Sequence, residues 1–201
     1  GYSYYRVTTD GRALLNRPHR QTVEWGHGKG DTTETMLHQA MIETLRRYVT
    51  HEYVDDPDSP ITDVQPYYEL SEHHRQFDLD AGTRFDLVGR DADGTIRLLG
   101  EAELDHNDGD EPPVRDYDQI ATVGPDDALW VVPSSSRGHD AVLTPLADPP
   151  TDLGDPRIDG YSDGTRMKDI SGIDEPGMTA IFTLNDLRKQ LPEPTLTDHT
   201  Q

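Results

Sequence analysis

The segment 84-RFDLVGRDADGTIRLLGEAELDHND-108 constrains the fold most, because it has the pattern of two strands joined by a tight turn. The residues 91-DADG-94 between two apolar runs are a strong hairpin signal. The first of these apolar strands carries Asp86, and the second ends in Glu101 and Glu103. The three carboxylates are either ordinary acidic residues of a very acidic chain or the ligands of a metal ion.

The spacing of these carboxylates favours the metal site. Glu101 and Glu103 are two positions apart, so both side chains project from one face of a strand. Oxygen ligands of this kind suit Mg²⁺, which activates water and stabilises charge on a scissile phosphate. Asp86 lies between apolar residues, where burial is expected, and a buried carboxylate needs a partner. That partner is a cation, or else Arg84 or Arg97.

Composition limits the class of protein. The 201-residue chain carries a formal net charge of −21, with 15 Arg, 3 Lys and no Cys. Acid excess with scarce Lys resembles a haloarchaeal cytoplasmic protein; at molar salt the Debye length is about 3 Å, so surface carboxylates hardly repel one another. The charge therefore concerns solubility and does not exclude DNA binding through local Arg residues.

The lack of cysteine excludes disulfides, zinc thiolate sites and Cys nucleophiles. No apolar run approaches the roughly 20 residues of a membrane span, so we expect no membrane association and a cytoplasmic location.

The apolar periodicity in the first half of the chain predicts one helix and one further strand. Residues 31–50 have apolar positions at spacings of three and four, which is typical of a helix, and Asp31 or Thr32 is the expected cap. Residues 61–71 have the pattern of a strand. This strand contains Pro66, so it lies at a sheet edge or carries a bulge.

The second half of the chain predicts an α/β fold with a mixed sheet flanked by helices. A short helix over 114–124 separates the hairpin from the apolar run 127–134 and permits a parallel crossover. The run 127–134 is typical of a central strand that is buried on both faces. The remaining predictions are a short helix within 135–147, a long loop over 148–177, and a strand and helix over 179–191 with Asn185 as the helix cap.

Three regions are expected along the chain. Residues 1–25 are an N-terminal arm or the tail of a winged helix, residues 26–191 are the α/β domain, and residues 192–201 are a flexible tail. The glycine-rich 26-GHGKG-30 lacks the GxxxxGK[ST] spacing of a phosphate-binding loop, and no strand precedes it. We interpret it as a linker.

The order of these elements resembles that of the PD-(D/E)xK nuclease superfamily, which has the restriction-endonuclease-like fold. Its pattern is a helix, a hairpin that carries Asp and then (D/E)xK, a second helix and an apolar strand. Asp86 matches the lone Asp and Glu101 matches the (D/E), whereas Glu103 stands where Lys usually lies. The resemblance covers residues 31–134.

The chain also resembles the winged-helix plus nuclease-like proteins of the replication-relaxation family. The matching segments are 4-YYRVTTDGRALL-15, Trp25, 36-MLHQAMIETL-45, 100-GEAEL-104, Tyr117 and 129-LWVVP-133. This resemblance implies a DNA-related role in a haloarchaeon or its mobile elements.

The resemblance to nucleases implies a Mg²⁺ site. Asp86, Glu101 and Glu103 would be the catalytic residues, with Asp86 and Glu101 as metal ligands and Glu43 of the long helix as a further ligand. Glu103 would ligate the metal or activate water. Because Glu103 cannot supply the positive charge of the usual Lys, the resemblance leaves catalysis open.

Further polar residues have weaker predicted roles. Phosphate contacts are expected from Lys29, Arg115 and Tyr117. His38 lies beside the apolar stripe of the long helix, where a packing role is expected. His106 is interpreted as a loop residue, with a role as general base as the alternative. The neighbours 73-HH-74 would point to opposite faces of a strand, so we do not expect them to share a metal.

Three interpretations of the function are therefore open. The first is a Mg²⁺-dependent nuclease, or a DNA-binding protein derived from one, with DNA as its partner and compatible with a homodimer. The alternative is a non-catalytic replication or regulatory protein that uses the same fold to bind DNA or protein. A halophile-specific structural domain without metal is the third interpretation.

Overall fold

The computed structural model describes residues 35–71, 74, 76–80, 82–104, 111–160, 167 and 170–192. These residues form an α/β fold in which a six-stranded mixed sheet is flanked by helices. The predicted N-terminal arm, the glycine-rich linker and nearly all of the predicted tail lie outside the described residues. The helices and strands are α1 (Met36–Val49), β1 (Ile61–Glu69), β2 (Arg84–Asp91), β3 (Ile96–Ala102), α2 (Glu111–Val123), β4 (Asp127–Val132), α3 (Ser135–Gly138), α4 (Thr144–Ala147), β5 (Ser171–Glu175), β6 (Met178–Thr183) and α5 (Leu184–Gln190).

Helix α1 begins directly after Thr35. The Thr35 hydroxyl accepts a hydrogen bond from the backbone N–H of His38 at 3.2 Å, which is the geometry of an N-cap. The predicted cap at Asp31 or Thr32 is wrong, because a later threonine adjoins the start of the apolar stripe. Those two residues lie outside the described part of the chain. At its other end, α1 continues into a π-helical turn, Thr50–Val54.

The sheet has the strand order β1-β2-β3-β4-β6-β5. The pairs β1–β2, β2–β3 and β5–β6 are antiparallel, and the pairs β3–β4 and β4–β6 are parallel. Helix α2 is the crossover between the parallel strands β3 and β4, as parallel pairing requires. The prediction of a mixed sheet is confirmed.

Strand β1 lies at one edge of the described sheet, where Pro66 pairs with Leu87 of β2. An edge strand tolerates proline because the missing N–H would face no second neighbour. The next residue, Tyr67, is buried and has a φ of 54°. That value lies in the left-handed region, which a bulky side chain rarely adopts.

The predicted hairpin of β2 and β3 is confirmed. The backbone N–H of Asp91 donates to the carbonyl of Thr95 at 3.0 Å, and the N–H of Gly94 donates to the carbonyl of Asp91 at 3.0 Å. Gly94 has a φ of 83°, which glycine adopts without steric cost. Further along the hairpin, Leu87 lies opposite Gly100.

Strand β4 is central and buried on both faces, as predicted. Leu129 and Val131 pack in the core that includes α1, while Trp130 and Val132 pack in the core that includes α2. The Trp130 indole N–H donates to the carbonyl of Gly177 at 2.9 Å, so the buried ring has its polar group satisfied. The sheet thus separates two apolar cores. In the described part of the chain, no helix has the length and apolarity needed to cross a bilayer.

The last third of the chain departs from the prediction in two places. The segment 148–177 was expected to be loop, but it contains strand β5, whose sequence SGIDE lacks strand-like alternation. Helix α5 is capped by Thr183, whose hydroxyl accepts from the N–H of Asp186 at 3.1 Å, and the predicted cap at Asn185 is wrong. The short helix expected within 135–147 is present as α3 and α4.

Candidate functional site

The three carboxylates of the hairpin are all buried. Asp86 and Glu101 are each 8% exposed, and Glu103 is 5% exposed. Asp86 lies near the start of β2, Glu101 lies near the end of β3, and Glu103 follows β3 directly. Because β2 and β3 run antiparallel, these positions meet at one end of the hairpin. The structure therefore brings together the residues that the spacing singled out.

Two nitrogen atoms lie within hydrogen-bond distance of one oxygen of Asp86. The backbone N–H of Ala102 on β3 lies 3.0 Å from Oδ2, and Nε2 of His38 on α1 lies 3.1 Å from the same oxygen. His38 was expected to be a packing residue, but its ring is bonded to this carboxylate instead. The apolar stripe of α1 does not predict this contact of His38, because Asp86 is distant in sequence.

The partners expected for Asp86 were a cation, Arg84 or Arg97. Arg97 instead pairs with Asp91 of the hairpin turn, with 2.9 Å between Nε and Oδ2. The guanidinium of Arg84 lies over the ring of Tyr67, 5.6 Å from its centroid. The closest described contacts of the Asp86 carboxylate are thus to a histidine and a main-chain amide.

The environment of Glu101 and Glu103 favours their protonated forms. Burial raises the pKa of Glu101 well above its usual range, and the charges of Asp86, Asp116 and Glu103 raise it further. Burial also raises the pKa of Glu103 to about 9, with added repulsion from Asp116 and Asp86, while His38 lowers it. These shifts favour the protonated form of both glutamates when no cation is bound.

A fourth carboxylate, Asp116 of α2, belongs to the same site. Burial raises the pKa of Asp116 to about 6; Arg115 lowers it, and Asp86 raises it. The side chain of Arg115 is 59% exposed, and its Nε lies 3.6 Å from the Asp116 carboxylate. We call Asp86, Glu101, Glu103 and Asp116 the acidic cluster.

Sequence reasoning missed Asp116. Its helix was predicted, but only Arg115 and Tyr117 on that helix were considered. The available signal was its place directly before Tyr117, a member of the buried stripe of α2. Asp116 also lies four positions before the buried Ile120, and residues at this spacing share one face of a helix.

Other predicted site residues have different described contacts or lie outside the described residues. The carboxylate of Glu43 accepts hydrogen bonds from Nε and Nη2 of Arg46, both at 2.8 Å. Its role as a metal ligand stays a prediction. Lys29 and His106 lie outside the described residues, as does His73 of the histidine pair.

Tyr117 occupies a different environment from the one that DNA contact requires. It is 4% exposed, and its hydroxyl donates to the carbonyl of Arg157 at 3.1 Å. Its ring also packs beneath Gly177, where an added Cβ would lie 2.6 Å from ring carbon Cδ2. Tyr117 therefore packs in the core, and a phosphate contact would require its hydroxyl to change partner.

The donor chemistry of the acidic cluster fits a hard divalent cation. Carboxylate oxygens are the ligands that Mg²⁺ prefers, and a cation would offset both the burial cost of ionised carboxylates and the repulsion between them, which together raise the pKa values of these groups. Within the described residues, no three His, Asp or Glu side chains are arranged so that they could hold a metal ion as they stand. Metal binding would therefore require loss of protons and adjustment of side chains.

Comparison with family models, curated proteins and solved structures finds no significant match to this chain.

Proposed function

We propose that the chain is a Mg²⁺-dependent nuclease with the restriction-endonuclease-like fold, or a DNA-binding protein derived from one, of a haloarchaeon or its mobile elements. The observation that carries the proposal is the burial of Asp86, Glu101 and Glu103 together at one end of a hairpin. Buried carboxylates are costly unless they are paired or bind a cation. The burial of three such groups at a single point favours a functional reason.

The topology supports the same proposal. In chain order, α1 is followed by three strands in antiparallel succession, then by α2 and by a parallel strand β4. This is the order of elements that the resemblance to nucleases implies. The acidic cluster lies where the hairpin, α1 and α2 come together.

The chemistry would divide among the residues of the cluster. When bound, Mg²⁺ would stabilise charge on the scissile phosphate and acidify a water molecule. Asp86 and Glu101 would hold the ion. Glu103, once ionised, would act as a further ligand or accept the proton of the attacking water. Arg115, exposed beside Asp116, would contact a phosphate of the DNA.

The second candidate is a non-catalytic replication or regulatory protein built on the same fold. Two observations favour it. Glu103 cannot supply the positive charge of the Lys that the resemblance leads us to expect, and the described residues hold no ready-made set of three metal ligands. Such a protein would bind DNA or protein without cleaving DNA.

Cleavage of supercoiled plasmid DNA in molar KCl, with Mg²⁺ or Mn²⁺, tests the proposal. We expect metal-dependent nicking by the wild type and its loss in Asp86→Asn and Glu101→Gln. Asp58→Asn and Glu52→Gln are matched controls, because both residues are exposed and lie outside the acidic cluster.

Three outcomes separate the candidates. Cleavage that is lost only in the two cluster variants supports a nuclease. DNA binding that needs no metal, without cleavage, supports the second candidate. Cleavage that persists equally in all variants would show a contaminating activity and contradict the proposal.

A further inference from the structure

The Oδ2 atom of Asp86 joins three elements of the fold. Asp86 lies on β2, the N–H of Ala102 comes from β3 at 3.0 Å, and Nε2 of His38 comes from α1 at 3.1 Å. A carboxylate oxygen offers about two lone-pair directions, so two donors occupy Oδ2. The oxygen available to an additional ligand is then Oδ1.

The position of His38 is itself fixed by local structure. Its backbone N–H donates to the hydroxyl of Thr35, which sets the start of α1. Its side chain is 17% exposed and lies in the first turn of the helix. A carboxylate oxygen accepts and does not donate, so the tautomer that fits this contact carries its hydrogen on Nε2.

The hydrogen bond from the Ala102 N–H alone would leave the Asp86 carboxylate free to rotate about its bond to Cβ. One donor fixes one oxygen, whereas a second donor from a separate element fixes the plane of the group. A side chain that holds a metal ligand in this way affects metal affinity without touching the metal.

We propose that His38 is a positioning residue that orients the Asp86 carboxylate, so that Oδ1 faces the acidic cluster and is the oxygen offered to a cation. This inference rests on the proposed metal site, because it assigns His38 a role in forming that site.

Mn²⁺ affinity, measured by calorimetry in molar KCl, tests the inference. His38→Ala removes the donor, whereas His38→Gln keeps an N–H near the position of Nε2. We expect His38→Ala to weaken Mn²⁺ binding by about 10- to 100-fold, and His38→Gln to stay within about threefold of the wild type. His51→Ala is the matched control, since His51 follows the same helix and its side chain is 44% exposed.

Two further measurements separate positioning from folding. The imidazole ¹H–¹⁵N spectrum of the wild type should show a slowly exchanging Nε2–H signal of His38 that disappears in Asp86→Ala. The variant that combines His38→Ala with Asp86→Ala should bind Mn²⁺ no more weakly than Asp86→Ala alone, because the two residues act through one contact.

The outcomes distinguish this inference from the proposed function. If His38→Ala binds Mn²⁺ like the wild type while Asp86→Ala does not, the metal site stands and His38 does not position Asp86. Equal weakening in the Ala and Gln variants contradicts a role through the N–H donor. A wild-type protein that binds no Mn²⁺ overturns the metal site and, with it, the role of His38.

Discussion

The side chain of Asp86 takes the place of a main-chain acceptor for the backbone N–H of Ala102, across 3.0 Å. The paired register of β2 and β3 reaches Leu87 opposite Gly100, and Asp86 lies just beyond it. Beyond the last paired residues of β2 and β3, the Asp86 carboxylate therefore continues the hydrogen bonding between the two strands. Asp86 has a structural task in addition to any task in metal binding.

Replacement of Asp86 separates these two tasks. Asp86→Ala leaves the buried N–H of Ala102 without this acceptor, and we expect a loss of about 1–3 kcal/mol in the free energy of unfolding. Asp86→Asn keeps a carbonyl acceptor, so it should lose less stability although it loses the charge. Urea unfolding followed by circular dichroism measures the unfolding free energies of both variants. Similar stability of the two variants would show that the Ala102 contact contributes little.

Glu103→Gln should change how stability depends on pH. Burial, with repulsion from Asp116 and Asp86, raises the pKa of Glu103 to about 9, above its ordinary value of 4.5. The folded state therefore keeps a proton that the unfolded state loses. The stabilisation is complete below the unfolded pKa, declines as pH rises, and is lost once pH passes the folded pKa.

The Gln side chain is neutral at every pH, so the variant should lack this decline. At about pH 8 without divalent cations, we expect its unfolding free energy to exceed that of the wild type by about 1–4 kcal/mol. Glu52→Gln, at an exposed position, should follow the wild-type profile. Parallel pH profiles for the wild type and Glu103→Gln would show that Glu103 is ionised in the folded protein.

Sequence patterns predicted the parts of the site that depend on spacing along one strand pair. The turn residues 91-DADG-94 indicated the hairpin, and the positions of Asp86 and Glu101 on its two strands indicated that they lie at the same end of it. The proline of β1 indicated an edge strand. These features are local or nearly so, and the physical rules for them need only neighbouring residues.

The predictions that were wrong or missing concern packing between elements that are distant in sequence. The bond from His38 to Asp86 requires α1 to cross the end of the hairpin, and the contribution of Asp116 requires α2 to return beside it. The apolar periodicity of a single segment does not predict where α1 and α2 pack against the hairpin. The helix caps at Thr35 and Thr183 were misplaced because several cap-forming residues stand close together at both helix starts.

Gly100→Ala should loosen the packing of α1 on the hairpin. A Cβ at Gly100 would lie 2.7 Å from Cδ2 of Leu45 and 3.2 Å from Cβ of Leu87, and both leucines are fully buried. We expect a loss of about 1–3 kcal/mol in unfolding free energy, measured by chemical denaturation. Gly160→Ala is the control, because a Cβ there meets nothing within 4 Å. Unchanged stability in Gly100→Ala would show that α1 shifts freely against the sheet.

Arg115→Ala tests the predicted phosphate contact. The Arg115 side chain is 59% exposed, so its removal should change the unfolding free energy by no more than about 0.5 kcal/mol. DNA affinity, followed by fluorescence anisotropy over a series of KCl concentrations, should fall uniformly across sequences, and the salt slope should fall by about one. Arg137→Ala removes an equal charge at another exposed position. Equal effects of the two variants would indicate a non-specific contribution of charge.

Stabilisation by Mn²⁺ should increase with pH. Metal ligands must lose their protons, and the pKa values of Glu101 and Glu103 are both raised in the cation-free protein. At about pH 6 a bound cation competes with protons on both glutamates, and Asp116, whose pKa is about 6, is half protonated as well. At about pH 8.5 this competition is weaker, so the same Mn²⁺ concentration should raise Tm by more.

Thermal melts at the two pH values, with and without Mn²⁺, measure this difference. Glu101→Gln should lose the metal-dependent increase in Tm at both pH values, since it removes a proposed ligand. An equal Mn²⁺ effect at the two pH values would mean that the ion binds groups already ionised at the lower pH. The buried glutamates would then not be its ligands, and the site of metal binding would lie elsewhere on this acidic chain.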